Sequence, residues 1–525
     1  MKDLTASVYT FEDLILGNYL YVDKTAQLWE LVNGWKGIYF LSRPRRFGKS
    51  LTLSTLKAVF QGRRELFRGL AIDGKPYGWK THPVIHLDFN GRRLDTVASL
   101  EESMRDILEE QAQANHVALE RTDSVHMFNR LVDTLARTEQ VVVLVDEYDK
   151  PVLAHLDDAG RGMEMLAALK PFYSVLKARE YQLRFVFVTG VSKFCHVSLF
   201  SDLNNLQDIS TDDRFATMLG YTQEELEACF GERLPQLQAK LSLSREELLT
   251  ALKLWYDGYR FAPDAETVYN PVSVASFFMR GGRFENYWFA TGTTSSLFAL
   301  MRRDDASLPR LMEQPVSGDL FDSFDLAAVN LQRLMYQTGY LTIGETEVLG
   351  AGTEEMERFY HLRFPNKEVR SSFNNQVMEH YAGVSPAETS ILTRRLVADV
   401  RSGDVDAFMN RLKTLFARIP YDLHGRRERD YQTVLYVILL MLKVHIHGEY
   451  HTNEGSIDLV LSGGEWTYVI ELKLNKTAEK AMAQIMHKDY ARGFLGQGRR
   501  VVAVGVNFDE KRAQIENWLS EEVTA

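Results

Sequence analysis

Gly37-Ile-Tyr-Phe-Leu-Ser-Arg-Pro-Arg-Arg-Phe-Gly-Lys-Ser50, followed by Leu51-Thr-Leu-Ser-Thr-Leu-Lys-Ala-Val-Phe60, is the stretch on which the fold of this chain turns. Residues 37–41 are a short apolar run that reads as a buried strand. An arginine-rich turn follows, and residues 51–60 carry apolar residues at helical spacing. Working outward, residues 84–89 (Val-Ile-His-Leu-Asp-Phe) read as a second strand, 99–120 as an exposed, charged helix, and Val141–Val145 and Phe185–Val188 as two more aliphatic strands. Continuously apolar strands alternating with helical pattern predict a parallel sheet covered on both faces.

The turn itself has chemistry. A phosphate-cupping loop needs a strand, a turn whose backbone N–H groups face the anion, a lysine, and a hydroxyl for Mg²⁺. In Arg43-Pro-Arg-Arg-Phe-Gly-Lys-Ser50 these are Gly48 for close backbone approach, Lys49 for the β- and γ-phosphates and Ser50 for the metal, with Arg45 and Arg46 as further phosphate contacts. The first glycine of the usual eight-residue pattern is Arg43 here, so a differently shaped loop is an alternative. The aliphatic run Val141–Val145 leads straight into Asp146-Glu147, the layout of a strand delivering a Mg²⁺-side Asp and a water-activating Glu. A buried strand with an acidic end is the bland explanation of that run. The order of the two halves, about a hundred residues apart, favours the nucleotide reading. Thr189, ending the strand at Phe185–Val188, is the residue expected to sense the γ-phosphate, and no arginine finger can be named.

Residues 215–400 read as mostly helical, punctuated by Trp255-Tyr-Asp-Gly-Tyr259 and Tyr287-Trp288, aromatics expected to form a core rather than to stack on bases. From about 404 helices lead into strands at 457–461 and 466–473, a helix, and a strand at Val501–Val506. Ile457–Leu461, Ser462-Gly-Gly-Glu465 and Trp466–Leu474 read as a hairpin turning at Gly463-Gly464. With those as the central turn residues, 458 stands opposite 469, while 469, 471 and 473 share a face. Asp458, Glu471 and Lys473 then converge, the two carboxylates diagonal across the pair and able to share a metal that activates water against a phosphodiester. Lys473 would orient that water or stabilise developing charge. A solvated face bearing an ordinary Glu–Lys pair would explain the same residues, but Tyr468-Val-Ile470 and Leu472 make the strand look buried, and buried charges need a reason. A one-residue slip would separate the carboxylates. His445 and His447, two apart at a helix end, do not share a helical face and are read as non-ligands.

A chain of 525 residues suggests two to four domains, and 45% apolar with 25% charged residues is an ordinary globular composition. The expected segments are an ATPase domain over 1–214, a mostly helical region over 215–400 and a nuclease-like domain over 401–525. Net charge is −10, against a histone-like grip on nucleic acid, yet from residue 401 onward 17 Lys+Arg balance 17 Asp+Glu. Basic clusters at 426–429 and Arg499-Arg500 lie in that neutral part. Two cysteines, Cys195 and Cys229, fit a reducing compartment and read as small buried residues. The N-terminus lacks a signal-peptide layout, and the longest apolar run, Val434–Leu442, is half of what a bilayer needs and reads as a buried helix. A cytoplasmic protein without a membrane partner is expected.

The chain resembles the bacterial AAA-ATPase-like proteins that carry a C-terminal PD-(D/E)XK nuclease-like domain. The resemblance rests on Tyr21-Val-Asp-Lys-Thr25, Ser42–Ser50, Val145-Asp-Glu-Tyr-Asp-Lys-Pro151, Leu203-Asn-Asn-Leu206, Trp255–Tyr259, Tyr269-Asn-Pro-Val-Ser273 and Tyr287-Trp288, and covers nearly the whole chain. It implies an α/β multidomain fold: a P-loop parallel sheet, a helical centre and a C-terminal PD-(D/E)XK-like α/β domain. Arg43 in place of glycine is itself a feature of that family. The resemblance implies Asp458, Glu471 and Lys473 as the Asp…Glu-x-Lys core, with Glu428 as an extra carboxylate and Gln484 on the following helix. Ser456 stands where many relatives have Arg, which removes a phosphate contact from the set. Two functions follow as expectations. One is an ATPase coupled to a Mg²⁺-dependent nuclease (Mn²⁺ as an alternative metal) acting on nucleic acid. The other is an ATP-driven switch whose C-terminal domain binds nucleic acid or protein without cutting. The sequence leaves a homo-oligomer as an open option.

Overall fold

The structure is a computed structural model. It describes the chain except residues 194–198, 201–202, 204, 289–293, 304–307, 322–328, 354–355, 419–427, 443–446, 454–455, 489–490, 496–497, 510–513 and 525, and except the side chains of 294–296, 302–303, 309–310, 313, 319–320, 428–432, 439, 447–453, 456–458 and 474. The chain packs into two compact units, one of residues 1–296 and 313–370, the other of 297–312 and 371–525.

The first unit is built on a five-stranded parallel sheet. β1 (Gly37–Ser42), β2 (Val84–Asp88), β3 (Val141–Asp146), β4 (Leu183–Gly190) and β5 (Gln207–Asp208) lie in the order β2-β3-β4-β1-β5. Every residue of β3 is buried, as a strand covered on both faces requires. The helices Lys49–Phe60, Val97–Ala114, Ser124–Leu135 and Ala159–Ala178 supply the cover. The helix expected over 99–120 runs 97–114 and is amphipathic, burying Leu100, Met104, Ile107 and Leu108. β4 is inserted between β1 and β3, so the ends of three strands converge on one edge, where parallel sheets place their ligands.

The middle of the chain is mostly helical, through Gln223–Phe230, Leu234–Leu241, Arg245–Tyr256 and Pro271–Met279, around a core of Leu226, Phe230, Leu248, Leu252, Tyr256, Tyr269 and Phe277. It also holds a small antiparallel sheet, β6 (Val316–Ser317), β7 (Thr342–Leu349) and β8 (Glu357–Arg363) in the order β6-β8-β7, which the helical reading did not foresee. Burial in β7 is confined to its first residues and the rest is exposed, so no alternation of apolar residues announces it.

The second unit centres on a mixed sheet in the order β13-β12-β11-β10-β9, with β9 (His447–Asn453), β10 (Ser456–Gly463), β11 (Trp466–Leu474), β12 (Arg500–Asp509) and β13 (Gln514–Val523). Only β11 and β12 are parallel, and the helix Ala478–His487 makes the crossover such a pair needs. His447 opens β9 rather than ending a helix, and His445 lies outside the described residues. The helix Glu428–Leu442 buries Val434, Val437, Ile438 and Leu442, as read from its apolar run. Among the described residues no helix is long and apolar enough to cross a membrane. Cys229 is half-buried, and Cys195 lies outside the described residues.

Candidate active sites on two sheets

β1 delivers the chain into the Arg43–Ser50 loop, which ends at Gly48 with φ +97°, the left-handed conformation that lets a glycine start the Lys49–Phe60 helix. No atom lies within 4 Å of where a Cβ at Gly48 would stand, so the space in front of the helix is open to an anion. Arg46 also takes a positive φ, +67°. Lys49 is 7% exposed, and its ammonium folds back on the carbonyls of Arg43 and Pro44, 3.0 Å each. Burial pulls its pKa down, opposed by Asp146, Glu147 and Asp149. A phosphate brought to this loop would find a cation with only carbonyl dipoles to relinquish.

The end of β3 meets the loop. Ser50 Oγ donates to Asp146 Oδ2 at 2.6 Å, and Asp146 Oδ1 accepts the Glu147 N–H at 3.0 Å. Asp146 is 1% exposed, and burial pushes its carboxyl up to about 6 against the bond from Ser50 and the charge of Lys49. A buried carboxylate and hydroxyl in contact beside a lysine are the hard oxygen donors that suit Mg²⁺. Glu147 adopts a left-handed φ of +51°, and Lys150 Nζ sits 3.0 Å from its Oε2 while donating to Asn90 Oδ1 at 2.7 Å. Asp88, at the end of β2, pairs in register with Asp146 and helps to raise its pKa. Asp88, Asn90 and Lys150 were not foreseen. The signal was the second apolar strand ending in Asp, visible only once β2 and β3 are known to be neighbours.

Thr189 lies near the end of β4 (Leu183–Gly190). Its side chain is fully buried and its hydroxyl donates to the Leu41 carbonyl at 2.8 Å, which ties β4 to β1. The polar group that shapes this edge is Asp149, also missed. It is fully buried and accepts from the backbone of Val191 and from the N–H and hydroxyl of Ser192, the last two at 2.7 Å. A Cβ on Gly190 would lie 2.4 Å from Asp149 Oδ1, so glycine is required there.

Arg43 explains itself. Its backbone N–H bonds Gly190 O at 3.1 Å without a positive φ, so the first loop position needs no glycine. The side chain is 2% exposed and donates to the carbonyls of Ser42 (2.9 Å), Ser210 (2.7 Å) and Phe215 (3.2 Å), with its guanidinium 4.2 Å from the Phe261 ring. Burial lowers its pKa to about 10. The family motifs of the central region then close around the same loop. Phe47 packs edge-on against Tyr259 and Phe261, Trp288 Nε1 donates to Arg45 O at 3.1 Å, and Pro44 lies where a Cβ on Gly339 would be. Tyr256, Tyr259, Tyr287 and Trp288 are buried, the core role expected of them, and Trp255 is partly buried. Tyr21–Thr25 is a clamp as well: Lys24 bonds Thr217 O and Glu225, and Asp23 caps Thr25 and the backbone of Ala71.

In the second unit the hairpin turns one residue later than expected. Gly463 pairs with Trp466, so Gly464 and Glu465 are the central residues, and Gly464 takes the positive φ (+61°) such a turn demands. Moving the turn by one residue moves every pairing by two. Asp458 therefore stands opposite Glu471 instead of residue 469, and parity keeps both on one face. They are direct neighbours, not diagonal ones. Glu471 is 1% and Lys473 7% exposed, and Lys473 Nζ lies 2.6 Å from Glu471 Oε1. Gly505 pairs with Glu471, and a Cβ on it would lie 2.5 Å from Ala478 O, so the Ala478–His487 helix covers this same face closely. Gln484, on that helix, is half-buried. The side chains of Asp458, Glu428 and Ser456, and the basic cluster at 426–427, lie outside the described residues.

The description "Predicted AAA-ATPase" matches residues 6–200, and "PD-(D/E)XK nuclease superfamily" matches residues 426–518. A curated protein of Azotobacter chroococcum, described as an uncharacterized protein in the vnfD 5′ region, is 34% identical over 531 residues, with 99% of each chain covered.

Proposed function

The chain belongs to the family of predicted AAA-ATPases ending in a PD-(D/E)XK nuclease-superfamily domain, and from that premise we propose an ATP-hydrolysing protein that controls a metal-dependent nuclease acting on nucleic-acid phosphodiesters. Segment 1–214 would act as the ATPase, 215–400 as a helical region closing on its loop, and 401–525 as the nuclease. The observation that carries the reading is the 2.6 Å contact between Ser50 and the buried Asp146, beside a lysine held by two carbonyls.

The backbone from Arg46 to Ser50 cups the β- and γ-phosphates, and Lys49 leaves the carbonyls of Arg43 and Pro44 for them. Arg45 and Arg46 add charge at the mouth of the loop. Ser50 and Asp146 would hold Mg²⁺ at the first site, and Asp458 and Glu471, with Glu428, would hold Mg²⁺ or Mn²⁺ at the second. When bound, the metal supplies Lewis-acid charge to the phosphates at the one and lowers the pKa of a water at the other. Glu147, kept in place by Lys150, orients the water that attacks the γ-phosphate. Lys473, next to Glu471, stabilises charge on the phosphodiester as the P–O bond breaks, and Gln484 orients its neighbours.

The test incubates the full chain with labelled DNA and RNA, Mg²⁺ or Mn²⁺, with and without ATP, beside Lys49→Ala, Asp458→Ala and Glu471→Gln. Loss of cutting in the last two and loss of ATP turnover in the first are expected. Intact ATP turnover without cutting under any condition would refute the nuclease half. Absence of a binding heat for ATP in folded, Mg²⁺-supplied protein would refute the other.

A further inference from the structure

A pocket of about 430 Å³ opens in the first unit between the end of the Arg245–Tyr256 helix, the turn through Asp257–Arg260, and residues 363–370. Five of its lining side chains are cationic, Lys253, Arg260, Arg363, Lys367 and Arg370, and one is acidic, Asp257. In a chain with net charge −10, a five-to-one local excess of cations runs against the average. Among the described residues none of the five forms an ion pair with a carboxylate. Burial alone lowers the pKa of Arg370, and burial together with the charge of Arg370 lowers that of Lys367. Asp257 does little to offset them. It is 3% exposed, one oxygen is taken by the Thr267 hydroxyl at 2.9 Å, and burial pushes its carboxyl up in spite of Lys253 and Arg363. Arg260, Lys367 and Arg370 are half-buried while Lys253 and Arg363 are exposed at the rim, and like charges gathered on a partly desolvated wall are stabilised by a charge-assisted contact with an anion.

The pocket is preformed. Gly258 has φ +102°, and a Cβ there would lie 2.0 Å from Pro365 O, so the two walls meet backbone to backbone. Asn366 Nδ2 donates to Asp257 O at 2.9 Å, and the Arg260 N–H to Thr342 Oγ1 at 2.7 Å. Its volume exceeds that of a bare phosphate and falls in the range of small-molecule sites. Phe364 and the 57%-exposed Leu254 give it apolar walls. No lining residue belongs to the Arg43–Ser50 loop.

We propose that this pocket binds a nucleoside phosphate, its phosphate held by Arg363, Lys367 and Arg370 and its sugar and base lying on Phe364 and Leu254. The ligand is a free nucleotide or the 5′-phosphorylated end of a strand, which offer the same chemistry. The site does not depend on the reading of the Arg43–Ser50 loop, and the test is done in the wild type and in Lys49→Ala so that binding at the loop is kept apart.

The full chain is titrated calorimetrically with adenosine monophosphate, and with a thymidine tetranucleotide carrying a 5′-phosphate or a 5′-hydroxyl. One saturable site is expected in both backgrounds, weakened about tenfold or more by the pair Lys367→Gln and Arg370→Gln. Arg245→Gln, at an exposed pair with Glu227 elsewhere, leaves it within about twofold. Tighter binding of the mononucleotide assigns the free ligand, and tighter binding of the 5′-phosphorylated strand over the 5′-hydroxyl one assigns the strand end. No saturable heat with any probe, or equal affinity in the paired variant, overturns the proposal. Should the paired variant fail to fold, phenylglyoxal labelling of the Lys49→Ala protein decides. Bound probe slows modification of Arg370 relative to Arg245, and equal rates overturn the proposal.

Discussion

Replacing Glu368 by Gln should flatten the pH dependence of stability of the first unit. Glu368 is fully buried and accepts the N–H groups of Tyr287 and Trp288, the latter at 2.7 Å, and the hydroxyl of Ser273 at 2.8 Å. Burial outweighs these three donors and pushes its carboxyl from 4.5 up to about 7. A carboxyl whose folded pKa lies above its unfolded value stabilises the fold in its protonated form. That contribution is complete below about 4.5 and is lost as the pH rises through about 7. A shift of about 2.5 units at about 1.4 kcal/mol each makes the loss roughly 3 kcal/mol, an order-of-magnitude figure. Gln keeps the shape and does not titrate, since its carbonyl can take both N–H groups and its NH₂ can face Ser273. For a unit of about 350 residues, with an unfolding entropy of about 2.1 cal/mol/K per residue, the wild type should lose about 4–5 °C of Tm relative to Glu368→Gln between pH 5 and 9. Differential scanning calorimetry of both proteins across that range reads this directly. Parallel Tm curves, or a wild type that gains on the variant as the pH rises, would refute the reasoning.

Arg43→Ala should destabilise the first unit by about 3–5 kcal/mol, because it strands the buried carbonyls of Ser42, Ser210 and Phe215 and empties the space against Phe261; urea unfolding measures it, and a change below about 1 kcal/mol would remove Arg43 as the anchor of the loop. Gly258→Ala should be worse tolerated than alanine at Gly48, since its Cβ meets Pro365 O at 2.0 Å while the space at Gly48 is open; equal Tm values for the two variants would contradict this. Lys473→Met should lower the Tm of the second unit by leaving Glu471 buried beside an apolar chain, at a cost of about 3–5 kcal/mol, and adding Glu471→Leu should recover most of the loss. A double variant no more stable than Lys473→Met would show that the pair is not coupled in this way.

How much of the site could be read from residues alone depends on how local its determinants are. Strand, loop and helix through 37–60 are consecutive, and the Asp146–Ser50 contact follows once two apolar strands are assigned to one parallel sheet. Adjacency to a strand end does not say which way a hydroxyl points, and the Thr189 hydroxyl finds an acceptor in Leu41 of β1. The hairpin register was wrong by two pairings because Ser-Gly-Gly-Glu offers two turn positions of nearly equal chemistry. The face survived because side-chain direction depends only on parity. β7 buries only its first residues and so does not alternate, and β8 alternates only over Tyr360 and Leu362, too short a run to mark a strand.

Periodicity and motif spacing by themselves determined the parallel sheet, the loop–helix junction at Gly48-Lys49-Ser50, the carboxylate at the end of β3 and the shared face of Asp458, Glu471 and Lys473, all of which are set by steps of 2 or 3.6 residues along one chain. Tertiary structure alone decided that Arg43 turns inward to Ser210 and Phe215, that Trp288 and Tyr259 hold the loop, and that cations 110 residues apart surround one pocket. These contacts join residues whose separation in sequence carries no period, and only packing brings them together.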